Sequence, residues 1–136
     1  MGLEAILMMF FVTKHLIFDW WLQTSWMASN KHRLLHPAGY VHAGLNVIGS
    51  VIAIIAYLFF LDFNHYNVLL VSITFPHLYL LLLGEFISHF VMDFVKMNVT
   101  KAQGWDMTKD PQFWYWTGFD QWVHIMYLVF MAGLIV

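Results

Sequence analysis

Four apolar stretches occupy most of this chain, and each is long enough to cross a hydrocarbon core of about 30 Å. Each also carries metal-ligand side chains at four-residue spacing: His15/Asp19/Gln23, His42/Asn46, Glu85/His89/Asp93 and Asp120/His124. Helical residues four apart share a face, so every segment presents one polar stripe on an oily cylinder. Ionisable groups inside a bilayer are costly, which makes the stripes candidates for function.

Of 136 residues, 61% are hydrophobic and 10% charged, which places the chain among multi-span membrane proteins. The fold expected is all-α: a polytopic four-transmembrane-helix bundle with a kinked third helix. The length leaves room for a single domain, 1–136, and no separate soluble one. Absence of cysteine removes disulfides, thiolate zinc sites and a cysteine nucleophile together, so any metal sits on nitrogen and oxygen. A net charge of −2 gives no reason to expect nucleic acid as a partner; the uneven placement of charge is the informative quantity.

The first span runs roughly from Leu3 to Ser29 and ends in the polar loop Asn30-Lys31-His32-Arg33. Its start lacks the basic stretch of a secretory signal and reads as a retained span. The second begins after Pro37, a residue suited to a helix start, and continues to about Leu61. Asp62-Phe63-Asn64-His65 connects it to a third span, from about Tyr66 to Met97, which Pro76 should kink. The longest loop, about Asn98 to Gln112, precedes a fourth span from about Phe113 to Val136.

Lys31, Arg33, Lys96, Lys101 and Lys109 all fall by the two loops on one side, against only Glu4 and Asp62 on the other. Positive loops stay cytoplasmic, which puts both termini outside. Trp26, Trp105, Trp114, Tyr115 and Trp116 gather at the same boundary as an aromatic belt.

Counting a rise of about 1.5 Å per residue from the cytoplasmic end of each span brings the stripes into register. Gln23, His42 and Asp93 come out shallowest; Asp19, Asn46, His89 and Asp120 form a middle level; His15, Glu85 and His124 lie deepest. One shared site is the simplest account. Buried carboxylates are costly unless neutralised, and divalent cations neutralise them while accepting imidazole. Two such ions would balance Asp19, Glu85, Asp93 and Asp120, as in helical bundles that build dinuclear centres from inward Glu and His. The expected ligand set is His15, Asp19, Glu85, His89, Asp93, Asp120 and His124. Zn²⁺ heads the candidates, with Mn²⁺ and Fe²⁺ behind it.

Blander readings stand beside this. Polar packing or a proton path could use the same residues, and His42/Asn46 alone reads as a helix-to-helix hydrogen bond. His32, His36 and His65 belong to loops, and His77 reads as structural. Lys14, mid-span, needs an inward carboxylate partner or a catalytic anion. Gly44, Gly49, Ser50 and Gly84 read as close-packing positions.

Lys14-His15-Leu16-Ile17-Phe18-Asp19-Trp20-Trp21-Leu22-Gln23-Thr24 with Trp26-Met27-Ala28, Ser88-His89-Phe90-Val91-Met92-Asp93-Phe94-Val95-Lys96 and Phe119-Asp120-Gln121-Trp122-Val123-His124 are together specific. They resemble the opening, central and closing motifs of the small phage and bacterial membrane proteins of the domain of unknown function 3307 family. The resemblance covers nearly the whole chain. It implies a phage or bacterial origin and an inner-membrane location, and supplies no activity.

The residues then suggest a metal-dependent hydrolase acting on a lipid-borne or phosphoester substrate from the cytoplasmic leaflet. Glu85 or His15 would serve as ligand or general base, while Lys96, Gln23 and Asp93 orient substrate. Membrane lipids are the expected surroundings, with a second copy of the chain or another membrane protein as a candidate partner. The alternatives are a proton or divalent-metal transporter and a non-catalytic phage or host structural protein stapled by metal.

Overall fold

The computed structural model describes residues 2–64 and 75–136. Among the described residues every regular element is helical. Helix α1 spans Leu3–His15 and runs directly into a π-helical stretch, Leu16–Trp21; then come α2, Ser25–Asn30, α3, Pro37–Phe63, α4, Phe75–Gln103, and α5, Pro111–Ile135. Three of these, α3, α4 from His77 onward and α5, are long and apolar enough to cross a membrane.

The expected first span, Leu3–Ser29, is not one helix. The bond from Leu22 N–H to the Ile17 carbonyl, 2.9 Å, is the i→i−5 pattern of a π turn, and the helix stops there. Thr24 then starts α2 as an N-cap, its hydroxyl accepting from Met27 N–H at 3.3 Å. The largely apolar and aromatic run from Leu16 to Leu22 hid both signals inside what read as a continuous span to Ser29.

The other boundaries follow local chemistry. Pro37 occupies the first turn of α3 behind His36, whose Nδ1 accepts from Ala38 N–H at 3.2 Å. Gly104, at φ 67°, supplies the left-handed residue that ends α4. Helix α4 therefore runs past the expected end at Met97, and α5 starts at Pro111 rather than Phe113. The His65 loop and the Tyr66 start lie outside the described residues, while Pro76, where a kink was expected, is the second residue of α4, at its start rather than mid-span.

Helix α1 packs against α3 and α5, and α4 packs against the same two, while α2 and the π stretch lean on α3. The buried stripes change character along their length. On α4 they read Leu81, Glu85, His89, Asp93; on α5 they read Asp120, His124, Leu128, Met131. One half of the interior is thus polar. The other is filled by Leu7, Phe11, Tyr57, Leu61, Leu128, Met131 and Ile135. Close packing of helix against helix fills that half. Gly84 shows how close: a Cβ there would lie 2.1 Å from the Tyr127 hydroxyl, and one on Gly49 would lie 2.7 Å from the Phe18 ring. Ser50, by contrast, donates a hydrogen bond to Glu85. Outward-facing Ile48, Ile52, Phe59, Ile87, Val91, Trp122 and Phe130 are exposed, the surface a membrane protein turns to acyl chains.

Candidate metal centre

The polar half converges on four buried atoms. His42 Nε2 lies 2.9 Å from Asp19 Oδ1 and 3.2 Å from Asp93 Oδ2; His89 Nε2 lies 3.1 and 3.5 Å from the same two oxygens. The two nitrogens are 3.2 Å apart. An imidazole nitrogen offers one proton or one lone pair, so these contacts cannot all be hydrogen bonds. Asp93 Oδ2 makes none despite its neighbours. A tetrahedron's edge is about 1.6 times its radius, so ligand atoms about 2.0–2.1 Å from a Zn²⁺ stand about 3.3–3.4 Å apart. The observed edges bracket that spacing, and the four groups could hold a metal ion.

A second cluster adjoins the first and shares Asp19, joining it to His15 and His124. His15 Nε2 is 3.6 Å from Asp19 Oδ2, and His124 Nε2 is 3.6 Å from Asp120 Oδ1. The rings of His89 and His124 stack at 3.9 Å and 9°.

Three lysines surround these groups, each on a carboxylate. Lys31 donates to Asp93 Oδ1 at 2.6 Å and to Gln23 at 2.8 Å; Lys96 donates to Asp120 Oδ2 at 2.9 Å. Lys14 pairs with Glu85, which also accepts from Ser50 at 2.8 Å, leaving Glu85 Oε2 without a partner. Asp19 has no lysine. Charge balance alone therefore asks for less metal than four carboxylates suggested, because the lysines already offset three of them.

The structure thus brings together His15, Asp19, His89, Asp93, Asp120 and His124, and sets Glu85 and Lys96 at the edge in ion pairs. His42, absent from the expected ligand set, stands at the centre; read alone on its span it looked like a packing contact. Lys31 was legible only as a loop cation, yet it is buried between Asp93 and Gln23. Gln121 escaped because it neighbours Asp120 instead of sharing its stripe. It donates to Asp19 Oδ2 at 3.2 Å and Asp120 Oδ2 at 3.3 Å, and accepts from Trp20 at 3.1 Å.

Two cavities meet the site. One of about 200 Å³ is lined by Asp19, Trp20, Lys31, Lys96, Trp114 and Gln121. The other, about 10 Å³ among His15, Glu85, His89 and His124, has room for about one water.

The other described histidines stay apart from the site. His36 packs its ring on Trp26, with centroids 5.4 Å apart. His32, in the loop, has its pKa lowered by burial, with the charges of Lys101 and Arg33 adding to the effect. His77 lies exposed in the first turns of α4.

No curated protein and no solved structure matches the chain. The model of a protein family of unknown function (DUF3307) does match, over residues 6–136, and to that family the chain belongs.

Proposed function

We propose that this is a metal-dependent hydrolase embedded in the bacterial inner membrane, acting on a lipid-borne phosphoester from the cytoplasmic leaflet. The convergence of Asp19, His42, His89 and Asp93 on a point suited to a divalent cation carries the reading. Zn²⁺ is the first choice for such a nitrogen and oxygen set, with Mn²⁺ and Fe²⁺ next. Helix α1 and the π stretch run unbroken from Leu3 to Trp21, roughly 28 Å at helical rise, enough for a fourth crossing with both termini outside.

Bound metal would lower the pKa of water to near 7 and polarise the phosphoryl oxygen. Lys31 and Lys96 line the larger cavity and supply cationic donors for a phosphate, beside Trp20 and Trp114. Glu85 Oε2, free of partners at the one-water cavity, is placed to take the proton. Transport is the weaker reading, because the polar interior stops at Glu85 and Ser50 and apolar side chains fill the half beyond.

Purified protein with Zn²⁺ in phospholipid vesicles should release phosphate or a phosphorylated headgroup, and His89→Ala should abolish this. Release that continues unchanged in His89→Ala would dismiss the hydrolase, as would proton or Zn²⁺ flux without turnover.

A further inference from the structure

Resting on that metal reading, we propose that the second cluster, His15, Asp19 and His124 with Asp120, is a second divalent-cation site bridged to the first through Asp19, and that it fills together with a phosphate-like oxyanion.

Asp19 is shaped for a bridge. Its Oδ1 faces His42 and His89 at 2.9 and 3.1 Å, while Oδ2 stands 3.6 Å from His15 Nε2, with the Gln121 amide hydrogen-bonded to both at 3.2 and 2.9 Å. A carboxylate with each oxygen turned to a different histidine group is the usual link of a dinuclear centre. His124 is 4% exposed, and neither of its ring nitrogens has a hydrogen-bond partner. Nor does Asp120 Oδ1, 3.6 Å from His124 Nε2. Buried polar atoms are almost always satisfied, so the unpartnered nitrogens of His124 and the Asp120 oxygen beside it ask for an occupant. The parallel stack of His89 on His124 sets the two clusters side by side.

Charge explains why the second ion needs company. Lys14, Lys31 and Lys96 already offset Glu85, Asp93 and Asp120, so two dications would leave the centre strongly positive. The larger cavity, with Lys31, Lys96 and Gln121 on its wall, is where a compensating oxyanion fits. By linkage the anion and the second ion tighten each other's binding by the same factor.

The test uses Mn²⁺ and inorganic phosphate on purified protein in lipid nanodiscs. Elemental analysis should find one ion per chain without phosphate and two with it. Electron paramagnetic resonance should then show an exchange-coupled Mn²⁺ pair. His124→Gln should hold one ion under both conditions, with an uncoupled spectrum. A single ion in the native chain at any phosphate concentration, or two uncoupled ions, overturns the second site and leaves the first intact. No ion at all overturns both readings. Native-chain spectra decide the matter even where a variant fails to fold.

Discussion

Lys31 reaches from the loop after α2 into the helix interior and donates to Asp93 Oδ1 at 2.6 Å, both side chains being nearly inaccessible. A charge so placed depends on its partner. In metal-free protein, Lys31→Met should cost about 3–5 kcal/mol by leaving a buried carboxylate unpaired. Lys31→Met combined with Asp93→Asn should recover most of that loss. Denaturant unfolding of the single and double variants in detergent measures both, and additive losses would refute the pairing.

Metal should stabilise the fold measurably. A ligand at a hundred times its Kd adds about 2.7 kcal/mol, so Zn²⁺ should raise Tm and a chelator should reverse the rise. His42→Gln and Asp19→Asn should lose the response. A thermal scan in which either variant keeps the full Zn²⁺ shift would remove that residue from the centre.

Close helix approach sets a steric test. Gly84→Ala places a methyl 2.1 Å from the Tyr127 hydroxyl, which itself donates to the Leu81 carbonyl at 2.9 Å. The variant should lose about 1–3 kcal/mol, as overpacked cores do. Adding Tyr127→Phe should restore part of it, because the nearest remaining ring atom stands at 3.1 Å. Equal stability of Gly84→Ala and the double variant would show that the hydroxyl is not the obstacle.

His32 gives a pH signature away from the membrane interior. Burial, then Lys101 and Arg33, hold its pKa below 6.5, so below that value the unfolded chain binds more protons than the folded one. Stability should therefore rise with pH as the solution approaches 6.5 from the acid side, and Lys101→Gln should shrink that slope. Titration of the imidazole by NMR checks it: a His32 pKa unmoved by Lys101→Gln contradicts the electrostatic cause.

Much of this was legible in the sequence. Four-residue spacing gave the interior faces of α3, α4 and α5, because burial in a helix follows the same period as the polar stripes. The layers came through in part: Gln23 and Asp93 meet through Lys31, and His15 lies near His124 with ring centroids 5.8 Å apart, but His42, expected shallow, meets the middle-level Asp19 and His89. The break after Trp21 was not legible. A π turn shifts which residues share a face, and no residue type announces one. Trp20 and Asp19 within that stretch meet Gln121, and Lys31 beyond the break is buried against Asp93. His42 was hidden for another reason: a lone histidine above an asparagine reads as packing until the facing helices supply its carboxylates.

The apolar filling beyond Glu85 has a kinetic corollary. On the proposed reading, a molecule entering the cavity that Trp20 and Trp114 line would meet that filling and leave by the way it came. For the hydrolysis we propose, spent product and fresh reactant would contend for a single threshold, and turnover would slow as product accumulates in the leaflet.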